Sequence, residues 1–159
     1  MSAQIVVDVE DFDRAFQALR PIFDFQPEEL MSTIGALGES QTRRRISEEK
    51  TAPDGEAWAP NLKGTSILME SGQHLLYSVA WTASADEAVW GAAWEYAHVH
   101  QFGATIVPKD AAFLAVPNPA GGIFRAKEVT IPARPFLGIS ADNAQEIIDV
   151  VTDHFGIAQ

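Results

Sequence analysis

Cysteine is absent from the 159-residue sequence, which excludes a disulfide framework, a thiolate zinc site and a thiol nucleophile. No apolar run approaches the ~20 residues that a membrane helix needs. Residues 1–4 lack the basic stretch and the apolar core with which a signal peptide begins. We therefore expect a soluble protein that has no membrane partner and is not exported by a standard route.

Basic residues are scarce, because 11 Lys and Arg stand against 22 Asp and Glu and give a net charge of −11. Such a chain does not bind nucleic acid by neutralising phosphates over its whole surface. Its acidity is typical of a soluble surface, or of a wall that repels DNA without binding it. One basic cluster, Arg43 to Arg45, stands out. Acidic residues lie four positions from each of its arginines, and this spacing favours a solvated helix face over a partner-binding patch. The predicted ion pairs are Glu39–Arg43, Arg44–Glu48 and Arg45–Glu49.

Catalytic signatures are also missing, since the sequence has no nucleophile elbow, P-loop or dinucleotide-binding motif. His98 and His100 have the only spacing that resembles a metal site. On a helix they would point about 200° apart, and neither Glu95 nor His74 is placed by its spacing as a third ligand. We therefore predict no catalytic residue, no metal and no cofactor. A small metal-dependent hydrolase using His98 and His100 remains an alternative.

Hydrophobic periodicity predicts a single α+β domain over residues 1–159, with a mostly antiparallel sheet. A long helix in the N-terminal half and a C-terminal helix pack on that sheet, and residues 104–130 form an extended hairpin. The predicted helices are 11–19, ending before Pro21; 27 to about 50; 92–102; and a last one capped by Ser140 and stopped by Gly156. The predicted strands are 5–9, 75–82, 87–91, 105–107, 112–116 and 123–130. Residues 75–91 form a predicted hairpin, residues 118–122 a predicted turn, and residues 111–116 are expected to be buried or paired with a neighbour. The last helix has a predicted apolar stripe of Ala144, Ile147, Ile148, Val151 and Phe155.

The run IPARPFLGIS, residues 131–140, predicts a rigid connection between a strand and the last helix. Pro132 and Pro135 fix their own φ angles and push the residues before them toward extended conformations. Arg134 is thereby held in one direction. We expect it to pair with a carboxylate or with backbone carbonyls, within the chain or across to a neighbouring copy.

Four segments of the chain, in this order, resemble the phage virion morphogenesis family, the Mu G-like group associated with tail completion. The segments are RRISEEKTAPDGEAW (44–58), LMESGQHLLYSV (68–79), YAHVHQFG (96–103) and IPARPFLGIS (131–140). His74 stands where the family more often has Arg or Lys, so no salt bridge of that kind is expected there. Residues 104–130 correspond to a variable region of the family.

The resemblance implies a structural protein of the head–tail neck that completes the tail and enables head–tail joining. It implies an oligomeric ring, often hexameric, through whose lumen double-stranded DNA passes without specific binding. Its neighbours would be the tail tube, a tail terminator or a connector or stopper protein. The protein would be assembled in the bacterial cytoplasm and retained in the virion. A capsid-morphogenesis factor that is absent from the finished particle is the alternative.

Aromatic and apolar side chains in these segments are candidates for contacts with neighbouring subunits, since such residues dominate interfaces as well as cores. Trp58, for example, is either a lid on the core or an interface anchor. In a ring, the hairpin of residues 104–130 would add a strand to the sheet edge of the next copy. The candidate interface residues are Trp58, Tyr96, His100, Phe102, Phe113, Leu114, Arg134 and Phe136.

Overall fold

The computed structural model describes residues 9–69 and 73–156. Five α-helices, a π-helical turn and six β-strands follow one another in this part of the chain. The helices are α1 (Val9–Phe23), α2 (Pro27–Arg44), the π-helical turn (Arg45–Glu49), α3 (His74–Ser78), α4 (Ala97–Phe102) and α5 (Ala141–His154). The strands are β1 (Val79–Ala83), β2 (Ala88–Ala92), β3 (Ala104–Ile106), β4 (Leu114–Pro117), β5 (Ile123–Ala126) and β6 (Val129–Ile131).

The first helix is longer than predicted, because α1 continues through Pro21 to Phe23. Pro21 has no N–H to donate to the carbonyl four residues earlier, and the helix ends two residues beyond it. The last turn is closed by the Asp24 amide, which donates to the Arg20 carbonyl at 2.9 Å. The predicted strand over residues 5–9 lies outside the described residues except for Val9, which begins α1.

The second helix begins at Pro27 as predicted, with Glu28 and Glu29 in the first turn where they complement the helix dipole. After Arg44 the chain makes the π-helical turn and stops at Lys50, whose φ of 57° is left-handed. The predicted extent to about residue 50 is therefore confirmed. The ammonium group of Lys50 donates to the carbonyl of Ile46, and to that of Ile67 at 2.9 Å.

The predicted hairpin of residues 75–91, called the hairpin below, is present, but its first strand begins later than expected. β1 and β2 pair antiparallel, and the Ser84 amide donates to the Glu87 carbonyl at 2.9 Å in the turn. Residues 75–78 were predicted as strand and instead belong to α3. Leu75 and Val79 are buried, whereas Tyr77, which an extended strand would place on the same face as these two, is 69% exposed.

Two glycines let α2 lie close against this hairpin. Trp81 and Trp90 face each other across β1 and β2 and lie beneath the helix. A Cβ atom on Gly35 would come within 2.6 Å of the Trp81 ring, and one on Gly38 would lie even closer to Trp90. The helix and the hairpin therefore depend on hydrogen, rather than a methyl group, at both positions.

Residues 104–131, which we call the lobe, contain two antiparallel strand pairs. β3 pairs with β6, and β4, which lies between them in the chain, pairs with β5. The predicted turn at 118–122 is confirmed by the Asn118 amide, which donates to the Gly122 carbonyl at 3.0 Å. The predicted strand 123–130 is broken at Lys127 and Glu128, because its two halves pair with different partners. Residues 111–113, predicted to be buried or paired, are exposed and precede the strand.

The predicted helix over residues 92–102 is shorter in the structure. Ala92 still belongs to β2, and the Ala93 amide donates to the Ser78 carbonyl at 3.0 Å, which extends the hairpin pairing. α4 starts only at Ala97, whose amide donates to the Trp94 carbonyl at 3.0 Å. The intervening residues turn the chain from the sheet into the helix.

The last helix follows the prediction closely. The Ser140 hydroxyl accepts from the Asn143 amide, and the Asn143 side chain accepts from the Ser140 amide, which forms a capping box. Gly156 follows the helix with a φ of 64°. The predicted apolar stripe is only partly inward, because Ile148 is half exposed on the outer face of α5.

The core lies where α3, α4 and the hairpin meet the 131–140 run. Its buried apolar residues are Ile46, Ala52, Trp58, Leu75, Val79, Ala97 and Phe136. The predicted α+β class is confirmed, and every strand pair in the described residues is antiparallel. The strands form three two-stranded sheets instead of one continuous sheet. In the part of the chain that the structure describes, no helix combines the length and apolar character needed to cross a bilayer.

Candidate functional site

The motif-bearing segments converge on residues 131–140, and we call this meeting point the joint. At its centre Phe136 is completely buried. Side chains from segments 44–58 and 96–103 bind the backbone of the run on both sides of Phe136. Leu75 and Val79 of segment 68–79 belong to the same buried cluster as Phe136. The joint therefore links parts of the chain that are distant in sequence through hydrogen bonds to a segment already stiffened by two prolines.

Arg45 is the most deeply buried cation of the joint, with 1% of its surface exposed. Its guanidinium donates to the carbonyls of Phe136 (3.2 Å) and Gly138 (2.7 Å) and to the Asn143 side chain (2.5 Å). Burial lowers the pKa of Arg45, an effect that Glu49 at 3.7 Å partly offsets. The interpretation of this residue as part of a solvated helix face is wrong. The π-helical turn widens the end of α2, and Arg45 there faces the joint.

The two neighbouring arginines point elsewhere, so the three do not form one basic patch. Arg43 binds Glu39 at 2.8 Å, as predicted, and also the Val79 carbonyl at 2.7 Å. Arg44 pairs with Glu49 (2.9 Å) instead of the predicted Glu48, because the π-helical turn shifts the register by one residue.

A second ion pair of Arg44 joins α2 to α5 through Glu146 at 2.8 Å. The Gln41 side chain also donates to Glu146 at 2.7 Å and to the Asn143 carbonyl at 3.2 Å. These bonds, first that of Gln41 and then that of Arg44, lower the pKa of Glu146. Polar contacts therefore hold the last helix against the long one.

Gln101 clamps the joint from the side of α4. Its side-chain oxygen accepts from the amides of Phe136 and Leu137, both at 3.0 Å, and its amide group donates to the Leu137 carbonyl at 3.1 Å. Gln101 lies between the candidate residues His100 and Phe102, but its role was not predicted, and neither was that of Asn143. Its position inside the YAHVHQFG segment was the available signal.

Arg134 and Trp58 fasten the loop of residues 51–61 to the joint. Arg134 is buried and, as one of the two predicted alternatives, donates to backbone carbonyls of its own chain, those of Ala59 (2.8 Å) and Pro60 (3.0 Å). The indole of Trp58 donates to the Pro135 carbonyl at 3.1 Å. Trp58 thus forms a lid over the core, and with Arg134 and Phe136 it lies inside the chain.

His100 lies beside the joint in a stack of rings. Trp94 packs between His100, at 5.5 Å, and His74, at 6.2 Å. The Nδ1 atom of His100 is buried and has no hydrogen-bond partner among the described residues. Burial, and then the charge of Arg134, lowers the pKa of His100. A cavity of about 150 Å³ opens next to these side chains.

His98 does not share this environment, because it is exposed on α4. The two histidines lie two positions apart in a helix and therefore point in different directions. Within residues 9–69 and 73–156, no group of three or more His, Asp or Glu side chains is placed to hold a metal ion.

The remaining interface candidates lie at the surface. Phe102 is 77% exposed, Tyr96 is 52% exposed and Phe113 is 43% exposed, whereas Leu114 is half buried in β4. A groove of about 310 Å³ separates the lobe from the loop at Leu62. It is lined mainly by apolar residues: Leu62, Val116, Pro117, Pro119, Val129, Ile131 and Pro132.

The joint fixes the positions of loops, and residues outside it form an exposed surface. In the joint, guanidinium and amide groups bind backbone carbonyls and amides, which positions loops. Outside it, single large aromatic side chains and parts of the lobe leave apolar area exposed.

Comparisons with known proteins agree with the four segments. A sequence model of the phage virion morphogenesis family matches residues 7–156, nearly the whole chain. Comparison with curated proteins gave no match, and comparison with solved structures gave none either. The matched range contains the joint, the lobe, α2 and α5.

Proposed function

We propose that this chain, which belongs to the phage virion morphogenesis family, is a structural protein of the head–tail neck and not an enzyme. The family match carries the proposal, since it extends over nearly the whole chain and gives the protein a role in building the phage particle. In the neck it would complete the tail and enable the joining of tail and head. The protein would be assembled in the bacterial cytoplasm and remain in the virion.

The proposal includes a homo-oligomeric ring, often hexameric in proteins of this kind, whose lumen lets double-stranded DNA pass. Exposed aromatic side chains at Tyr96, Phe102 and Phe113 support it, because such residues are enriched where proteins meet. The net charge of −11 supports an acidic lumen that does not retain DNA. The neighbours in the neck would be the tail tube, a tail terminator, or a connector or stopper protein.

Removal of the gene from the phage or prophage that encodes the chain tests the proposed role. We expect electron micrographs to show DNA-filled heads and separate, unjoined tails, with joining restored by a plasmid copy. Antibody labelling of complemented particles should mark the neck. Loss of the heads themselves, or a protein absent from purified particles, would contradict a neck role and favour a capsid-morphogenesis factor.

Light scattering across a concentration series tests the ring in solution. A species with the mass of a ring would support self-assembly. A monomer at every concentration would contradict self-assembly and would mean that the ring forms only on a tail end or a connector.

A further inference from the structure

We infer that the lobe of one copy docks on the outer face of α5 of a neighbouring copy, an inference that rests on the proposed ring. The two surfaces differ in shape and in sign of charge, so the contact is head to tail. Contacts of this type generate a ring when the rotation between copies closes.

The outward face of the lobe is set by strand alternation. Ala115 and Pro117 on β4 lie opposite Arg125 and Ile123 on β5. All four are exposed, and Ile123 has 70% of its surface accessible. The opposite face carries Val116 and its partner Phe124, which is 42% exposed. Val116 lines the groove, which Pro117 reaches at the end of β4. The outward face is therefore a small apolar platform with one guanidinium on it.

The lobe as a whole has a positive net charge, in contrast to the rest of the chain. The lobe contains three basic residues, Lys109, Arg125 and Lys127, and two acidic ones, Asp110 and Glu128, which gives a net charge of +1 against −11 for the whole chain. Among the described residues, no ion pair involves any of the three cations. They are available to a partner.

The outer face of α5 has the opposite character. The helix contains four acidic residues and no Lys or Arg, which gives it a net charge of −4. Glu146 is already bound by Arg44 and Gln41. Asp142, Asp149 and Asp153 are exposed, and their spacing of seven and four residues places them in one stripe of the helix.

An exposed apolar side chain lies on the same outer face of α5, about a third of a turn around the helix from the acidic stripe. Ile148 is 50% exposed, so the outer face of α5 presents an apolar residue at one edge and carboxylates at the other, while the lobe presents Ile123 and Arg125 on one face. Apolar contact at the centre with opposite charges at the edge is the usual anatomy of a protein interface. A second copy of this chain supplies the matching surface without any further partner.

Paired charge reversals test the contact. One variant carries Arg125→Glu and Lys127→Glu, and the other carries Asp149→Lys and Asp153→Lys. Sedimentation velocity is measured for each variant, for the wild type and for an equimolar mixture of the two variants, at about 50 mM and about 500 mM salt, where screening differs strongly. Arg20→Glu and Asp86→Lys, both exposed and outside the two surfaces, are the matched controls.

We expect each reversal to weaken self-association at low salt about tenfold, since attraction at the edge becomes repulsion. The mixture should recover wild-type association, because each reversed lobe then meets a reversed helix. High salt should weaken the self-association of the wild type. The two control variants should associate as strongly as the wild type at each salt concentration.

Three results would overturn the inference: a monomeric wild type at low salt, unchanged association of the reversed variants, or no recovery in the mixture. Any of them would leave the neck role standing, because that role is decided by the unjoined heads and tails of the gene deletion. A normal particle from the deleted phage would overturn the neck role even if the copies associate as expected.

Discussion

At the scale of single residues, Arg45 and Arg134 are buried cations that bind mainly backbone carbonyls. Burial lowers the pKa of both, yet an arginine remains charged at neutral pH because its intrinsic pKa is so high. Their cost of desolvation is offset by charge-assisted hydrogen bonds to loop carbonyls that would otherwise be buried without partners. Each arginine thereby fixes the path of a loop.

Arg45→Met should lower the free energy of unfolding by about 2–4 kcal/mol, since it leaves the carbonyls of Phe136 and Gly138 and the Asn143 side chain without their donor. Urea denaturation monitored by tryptophan fluorescence measures the loss. Arg44→Met is the control, and its half-exposed ion pairs predict a loss of about 1 kcal/mol or less. Equal losses in the two variants would contradict the structural role of Arg45.

His100 should make stability depend on pH. Its pKa is lowered in the folded protein by burial and by Arg134, so the unfolded chain binds the proton more readily. Stability is then fully present above about pH 6.5, the ordinary histidine value, and falls as the pH drops below it. Melting temperatures between about pH 5 and pH 8 should show a steeper loss for the wild type than for His100→Phe.

The matched control for this prediction is His98→Gln, because His98 is exposed on the same helix. Its melting temperature should follow that of the wild type across the same pH range. A His100→Phe variant whose melting temperature falls as steeply as that of the wild type would show that another group causes the acid sensitivity.

At the scale of elements, the joint and the contact between α2 and the hairpin do most to define the fold. The two glycines of α2 admit the Trp81 and Trp90 rings to the helix backbone. Glycine is unfavourable in a helix interior by about 1 kcal/mol relative to alanine. Close packing of two indole rings offsets that cost, since an aromatic side chain buries a large apolar area.

Gly38→Ala should destabilise the protein by about 1–3 kcal/mol despite the gain in helix propensity, because the added methyl group overlaps the Trp90 ring. Thermal denaturation of Gly38→Ala, Trp90→Leu and the double variant measures the coupling between the two sites. The double variant should lose less than the sum of the single losses, because the smaller leucine leaves room for the methyl group. Strictly additive losses would contradict direct contact.

The elements that the sequence predicted well have local signals. Ser140 caps α5, Pro27 opens α2 and the turn at 118–122 is rich in glycine and proline, so neighbouring residues decide each of these. The errors have non-local causes. Residues 75–78 alternate like a strand but form α3, in which Leu75 enters the core while Tyr77 is exposed. The strand 123–130 divides because its halves have different partners.

The candidate site, like the fold, could be predicted from the sequence only in part. The backbone partners of Arg134 were among the expected ones, because the flanking prolines restrict its direction. The burial of Arg45 was not predictable, since opposite charges four residues apart describe a regular α-helix and the structure departs from one at that turn. Gln101 and Asn143 bind residues far away in the sequence, and no local pattern identifies such partners.

At the scale of the whole molecule, the residues that stabilise the fold differ from those that are exposed at the surface and proposed to contact other proteins. Trp58, Arg134 and Phe136 lie inside and hold the chain together, whereas Tyr96, Phe102 and Phe113 lie outside. Assembly and folding can therefore be altered separately. The interface role of the exposed residues stays a prediction.

Phe102→Ser should reduce assembly without changing the melting temperature, because a side chain that is 77% exposed contributes little to the core. Light scattering and the yield of joined particles measure assembly, and calorimetry measures folding. Leu62→Ser is the matched control, with 75% exposure outside the candidate set. A Phe102→Ser variant that assembles as well as Leu62→Ser would show that Phe102 is not a contact.

The π-helical turn at Arg45–Glu49 has a consequence for how the length of the chain can change. Such a turn holds one residue more than a regular one. Loss of one codon after Arg45 would restore a regular helix, yet it would rotate the residues that follow by about 100° relative to α2. Glu49 and Lys50 would then be moved away from the groups they bind. Length variation should therefore be tolerated in the tip of the lobe and selected against at the end of α2.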